Sequence, residues 1–152
     1  MDVLITIADP GDPPVKAMVE ELDAYLIPLY PAESNHLLDI ETLRQPEMRF
    51  FAAFRGSEVL AIGGCWLHEG YAEVKRIYVT PSARGLGLAK SIMQRIEAEA
   101  LVSGRAVMRL ETGIHQPESL GLYRRLGYAD CGPFGDYPAD DPNSVFMQKR
   151  LG

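Results

Sequence analysis

The run Arg84-Gly85-Leu86-Gly87-Leu88-Ala89 combines residue types and spacing that point to chemistry. It joins the end of a strand-like segment to the start of a helical one. The first turn of a helix carries amides without intrahelical partners and a partial positive charge. Glycines there let a ligand approach the backbone closely. Together these features suit a pyrophosphate, which accepts several amides at once. The spacing excludes two other phosphate-binding designs. Gly-x-Gly-x-x-Gly needs a third glycine where Leu88-Ala89-Lys90 follow, and Gly-x-x-x-x-Gly-Lys-Ser/Thr is absent. His36, His68, His115, Cys65 and Cys131 fall at no metal-ligand spacing, so no metal is expected.

The elements that must position this loop are legible around it. Leu4–Ile7 reads as a strand, broken by Asp9-Pro10-Gly11-Asp12-Pro13-Pro14. Val15 to Leu29 has helical spacing, and Asp39 to Leu43 is a short second helix stopped by Pro46. Arg49–Phe54, Glu58–His68 and Tyr71–Val79 are strands joined by tight turns at Arg55-Gly56-Ser57 and Glu69-Gly70. Gly63-Gly64 suggests a bulge or a close backbone approach. Gly85 to Val102 repeats apolar residues at helical spacing, and Ser103-Gly104 stops it. Val107–Thr112 is a strand. Pro117 opens a last helix carrying Leu120, Tyr123 and Leu126, which Gly127 caps. Tyr128–Cys131 and Ser144–Lys149 are strands around an acidic, Pro-rich loop. Antiparallel strands followed by a strand–helix–strand crossover predict an α/β (α+β) fold. It has a mixed, mostly antiparallel sheet of six to seven strands with helices on both faces.

The chain resembles the GCN5-related N-acetyltransferase (GNAT) family of acetyl-CoA-dependent acyltransferases. Arg84, Gly87 and Ala89 match the Gln/Arg-x-x-Gly-x-Gly/Ala signature. Glu73-Val74-Lys75-Arg76-Ile77-Tyr78-Val79 looks like the family's fourth strand, and Leu122-Tyr123-Arg124-Arg125-Leu126-Gly127-Tyr128 like its Leu-Tyr-x-x-x-Gly-Phe/Tyr segment. The three motifs occur in the family's order, and the resemblance spans nearly the whole chain. Many members have Asn seven residues before the tyrosine; here Gln116 stands there.

The resemblance implies acetyl-CoA as cofactor, with coenzyme A as product. Its pyrophosphate is expected on the backbone of Arg84, Gly85, Leu86, Gly87, Leu88 and Ala89, with Lys90 close by, and Gln116 is expected to touch the cofactor where the family's Asn does. Its pantetheine arm is expected to add to the fourth strand at Ile77, Tyr78 and Val79, between splayed strands Tyr71–Val79 and Val107–Thr112. An amide near Ile77 would face the thioester oxygen. Tyr123 takes the place of the tyrosine that protonates the leaving thiolate or hydrogen-bonds its sulfur. The alternative for Tyr123 is a core aromatic. An amine of pKa ~10 is protonated at neutral pH and must lose a proton to attack. Glu73 aligns with the base of the histone-acetylating branch. It reads equally as an exposed strand carboxylate beside Lys75 or Arg76. Acceptor contacts are sought among Tyr30, Glu33, Trp66, Arg76, Asp136 and Tyr137.

The implied activity is acetyl transfer from acetyl-CoA to a primary amine of a small molecule, by direct attack in a ternary complex. No cysteine is placed to carry the acetyl group. The alternatives are a protein Lys or N-terminal acetyltransferase, and a non-catalytic acetyl-CoA-binding regulatory module. The 152 residues make one domain, 1–152, and 47% hydrophobic with 24% charged residues excludes disorder. The formal charge of −6 argues against a nucleic-acid partner. No apolar run is long enough for a membrane helix, and no signal segment opens the chain. A cytoplasmic enzyme is the expectation, and a homodimer is compatible with it.

Overall fold

The computed structural model describes residues 2–152. Strand β1 (Leu4–Ile7) leads into helix α1 (Pro13–Leu26). Pro13 and Pro14 sit at the first helical positions, where no amide hydrogen is needed. Val15, Met18, Val19 and Leu22 form the buried stripe of α1. The helix stops at Leu26 rather than Leu29. Ile27–Leu29 tightens into a 3-10 turn, because Pro28 has no amide to continue the ladder. A further 3-10 turn (Ala32–Ser34) precedes α2 (Ile40–Leu43), where the Asp39 side chain accepts from the Thr42 amide at 2.8 Å.

Strands β2 (Met48–Arg55), β3 (Glu58–His68) and β4 (Tyr71–Val79) form the expected meander. Then come α3 (Leu88–Val102), β5 (Val107–Gly113), α4 (Pro117–Arg125), β6 (Ala129–Asp130) and β7 (Ser144–Arg150). The seven strands run in the order β1-β2-β3-β4-β5-β7-β6. Only β4 and β5 are parallel neighbours. Alternation along β2 sends Phe51 and Ala53 to the face covered by Leu88, Ile92, Met93 and Ile96 of α3. Phe50 and Ala52 face Val15, Met18 and Val19 of α1. Helices therefore cover both faces of a mixed sheet.

Two departures from regular pairing matter for function. First, β4 and β5 pair only at Ala72↔Met108 and Glu73↔Arg109, and beyond Glu73 they part. Second, β4 carries a bulge. Ile62 pairs with Tyr78 and Gly64 with Lys75, so Gly63 faces both Arg76 and Ile77. Arg76 takes φ 58, in the left-handed region. The extra residue keeps Ile77 on the α3 face while Tyr78 joins the α1 cluster. A Cβ on Gly63 would lie 2.5 Å from Ile77 Cδ1 and 2.7 Å from Ile92 Cγ2. Glycine is what lets Ile77 pack there.

Candidate active site

Where β4 and β5 part, a cavity of about 100 Å³ opens between them. Val74 to Ile77 form one wall and Leu110 to Gly113 the other, with Tyr30, Ser34 and His36 of the first loop and Tyr123 of α4 closing it. It adjoins a larger groove of about 560 Å³, and Ile77 and Gln116 line both. The larger groove runs along Ile77, Tyr78 and Val79 to Arg84, Gly85, Gly87, Leu88, Ala89 and Lys90. All the expected cofactor residues except Leu86 and Tyr123 therefore line the groove, and Tyr123 lines the adjoining cavity. Leu86 is 59% exposed and lines neither space. The flanking glycines take φ 90 and 74, which turns the chain between them outward. These conformations also set the start of α3 at Leu88 rather than Gly85, since left-handed residues do not continue an α-helix.

The groove fits a pyrophosphate. A Cβ on Gly85 or Gly87 would meet nothing within 4 Å, so the space before the first turn of α3 is open. The amides of that turn have no intrahelical partners. Arg84, Lys90 and Arg125 add three positive charges to the same lining. Tyr78 is held by its hydroxyl donating to Glu21 Oε2 at 2.7 Å. Burial and the Glu21 carboxylate push its phenol up to about 12. The Val79 carbonyl accepts from Arg84 Nε at 3.3 Å, which ties the loop to the end of β4.

Tyr123 is buried and lines the cavity. Burial alone pushes its phenol up, so the hydroxyl holds its proton across the neutral range. Gln116 is committed to its own turn. Its Oε1 accepts from the Gly113 amide and from the Tyr30 hydroxyl, each at 3.1 Å. Its amide nitrogen is the part left for the groove. Tyr30 also accepts from the His115 amide at 3.1 Å and stacks on His115, which straps the first loop to the end of β5.

Glu73 stands elsewhere than a base must. It is buried but lines neither the cavity nor the groove. His68 Nε2 lies 3.0 Å from Oε1, Lys75 Nζ lies 3.1 Å from Oε2, and the Tyr137 hydroxyl donates to Oε2. Both oxygens are occupied, so in this structure Glu73 clamps Lys75 and faces neither space in which a base would work. The reading of Glu73 as exposed is corrected.

Several acceptor candidates are also reassigned. Arg76 lines the cavity, but Nε faces Asp23 Oδ1 at 3.0 Å and an Nη donates to the Leu38 carbonyl at 2.6 Å. Burial pulls its guanidinium down, and Asp23 opposes that. Its charge is spent on α1 rather than on a substrate carboxylate. Tyr137 holds Glu73 and Lys75, the latter donating to it at 2.8 Å, and does not line the cavity. Trp66 packs on His68, on the β3 side of Glu73. Glu33 and Asp136 are exposed and reach neither space. Of the acceptor candidates, Tyr30 and Arg76 alone line the cavity.

The sequence reading missed Glu111, Ser144, Asp141 and Asn143. Glu111 lines the cavity and accepts from Ser144 Oγ at 2.7 Å. Asp141 accepts from Ser34 Oγ at 2.9 Å and pairs with His36 at 3.3 Å, while Asn143 Nδ2 donates to Ser34 Oγ at 3.2 Å. These bonds sew the first loop to the loop before β7. The one sequence signal was alternation along β5, which puts Glu111 on the same face as Arg109 and Gly113.

The acetyltransferase (GNAT) family model matches residues 15–128. The chain is 46% identical to the IAA acetyltransferase of Azospirillum brasilense, over 99% of each. It is 39% identical to the uncharacterized N-acetyltransferase YsnE of Bacillus subtilis, over 80% of this chain and 82% of that one. Among solved structures, an acyl-CoA N-acyltransferase, so assigned, from Klebsiella pneumoniae superposes with a TM-score of 0.83 at 33% identity, covering 99% of this chain and 98% of that one. The PaiA N-acetyltransferase of Thermoplasma acidophilum, solved with coenzyme A, shares the fold at a TM-score of 0.74 and 16% identity, over 99% and 100% of the two chains. Matched motifs, matched topology and these relatives lead to one assignment: the chain belongs to the GNAT family and is an N-acetyltransferase.

Proposed function

We propose that this acyltransferase moves an acetyl group from acetyl-CoA to a primary amine of a small molecule, by direct attack in a ternary complex, on the single domain 1–152. One observation carries the reading. An open groove leads from the positive start of α3, along the unpaired edge of β4, to the cavity that holds Tyr123. Acetyl-CoA, when bound, supplies an activated thioester. The related fold solved with coenzyme A and the relative named for acetyl transfer support that choice.

The residues divide the work. The first-turn amides of α3, with Arg84, Lys90 and Arg125, hold the anionic end. The edge of β4 past Glu73 has no β5 partner, so its backbone is free to receive an added extended segment. The bulge at Arg76–Ile77 turns that edge toward the cavity, where an amide near Ile77 stabilises negative charge on a carbonyl oxygen. Tyr123 donates its proton to the departing sulfur. Cys65 is fully buried and pushed up to about 12, chiefly by burial. That supports attack by the acceptor itself over a covalent acetyl-enzyme.

The test is melting temperature with saturating acetyl-CoA, then thiol release with an amine panel. Ligand at a hundred times its Kd stabilises by about 2.7 kcal/mol, which is a rise of several degrees for a chain of this size. A flat melting curve at saturating acetyl-CoA overturns the reading.

A further inference from the structure

The cavity between β4 and β5 holds an uneven set of charges. Three basic side chains line it, and each already has a carboxylate: Lys75 with Glu73 at 3.1 Å, Arg76 with Asp23 at 3.0 Å and His36 with Asp141 at 3.3 Å. Glu111 lines the same cavity and has no such partner among the described residues. Its Oε2 takes one hydrogen bond, from Ser144 Oγ at 2.7 Å. An ionised carboxylate accepts about four. Burying a carboxylate without a cation is costly, and such groups persist where a ligand completes them.

We propose that Glu111 receives the acceptor as an ammonium ion and is the base that takes its proton. The inference rests on the acetyl-transfer reading above and gives that reaction its acceptor class. With Lys75 and Arg76 each paired to a carboxylate and His36 held on Asp141, no cation lining the cavity is left free, among the described residues, for a carboxylate next to the amine. The acceptor is therefore a primary amine without an α-carboxylate, and matching α-amino acids are excluded by repulsion from Glu111.

The geometry is that of a base facing its reaction. Glu111 is on the β5 wall, and the bulged edge at Arg76–Ile77 is on the β4 wall opposite. Tyr123 lines the same cavity, so base and acid share one small space. Lys75 from β4, His36 and Tyr30 from the first loop, and Tyr137 and Asp141 from the loop before β7 surround the carboxylate. Burial is the largest influence and raises Glu111 above the ordinary 4.5. Ser144, His36 and Lys75 oppose that, and Asp141 adds to it.

The protons balance. One N–H proton of the ammonium passes to Glu111, which frees the nitrogen lone pair. The C–N bond forms to the thioester carbonyl carbon and the C–S bond breaks. Tyr123 gives its proton to sulfur and regains one from the nitrogen as the amide forms. The net products are amide, thiol and one proton, which leaves Glu111 for solvent.

The test uses the full chain with acetyl-CoA and matched acceptors: 2-phenylethylamine against phenylalanine, tyramine against tyrosine and histamine against histidine. Each amine turned over should exceed its amino acid in kcat/KM by at least about tenfold. Glu111→Gln keeps the shape and an acceptor for Ser144. It should lower kcat by at least about 100-fold without weakening acetyl-CoA binding. Wild-type kcat/KM should rise out of acid and level off by neutral pH once Glu111 is ionised, whereas in the variant it should go on rising toward the amine's own pKa of ~10 as free amine accumulates. Amino acids preferred over amines overturn the proposal, as does a Glu111→Gln enzyme with wild-type rate and acid limb. Acetyl-CoA binding with no amine turned over also overturns it and leaves the cofactor reading standing. No binding of acetyl-CoA is the separate failure of that reading. Should Glu111→Gln not fold, the amine-to-amino-acid comparison on the wild type still decides.

Discussion

Replacing Gly63 by alanine tests whether the bulge that aims β4 at the cavity depends on the missing side chain. The new Cβ would lie 2.5 Å from Ile77 Cδ1 and 2.7 Å from Ile92 Cγ2. Ile92 is fully buried and β-branched, so its methyl cannot swing aside without leaving its rotamer. Overpacking of this kind costs about 1–3 kcal/mol. At about 2–4 °C per kcal/mol for this chain length, Gly63→Ala should lower Tm by roughly 2–12 °C. The nearer clash is with a single atom, which Ile77→Val removes. That change alone costs about 0.5–1.5 kcal/mol. Urea unfolding of both single variants and the double variant should therefore give a double variant less destabilised than the sum, by at least about 0.5 kcal/mol. Acetyl-CoA affinity should fall in Gly63→Ala and recover in the double variant, because Ile77 lines both the groove and the cavity. Additive costs, or an unchanged Tm in Gly63→Ala, would refute the packing account of the bulge.

Tyr123→Phe should lower kcat by about 100-fold or more while calorimetry gives an unchanged acetyl-CoA Kd; wild-type turnover would remove the acid role. Glu73→Gln leaves Lys75 buried without its carboxylate, so it should cost about 3–5 kcal/mol in urea unfolding yet keep the acid limb of the rate profile. Loss of that limb would return the base role to Glu73. Glu111 has a raised folded pKa, so the native state binds the extra proton and stability falls as pH rises above 4.5 toward the folded value. Above that window Glu111→Gln should melt higher than wild type, with the gap closing as pH falls through it; a variant that melts lower at neutral pH would contradict the burial argument.

The fold, and the groove along β4 and the start of α3, were legible because local rules decide them. Alternation, turn glycines and helical spacing located all seven strands and four helices. The glycine loop announced its own open space. The misplaced boundaries have local causes too: Pro28 ended α1 early, and the left-handed Gly85 and Gly87 delayed α3. The acceptor half was not legible, because it depends on which charges find partners across the fold. In sequence Arg76 looks available, and only packing shows Asp23 of α1 neutralising it. Glu73 and Glu111 differ in the same way. One is met by residues from β3, β4 and the loop before β7, the other by a single hydroxyl. Chemistry needs a charge that the protein has left incomplete. That is a property of the whole charge set, and no motif records it. Under the proposed mechanism, the residue that takes the proton is the one whose ionisation does least for the stability of the fold. Raised stability in Glu111→Gln, alongside lost turnover, would be the two sides of one buried carboxylate.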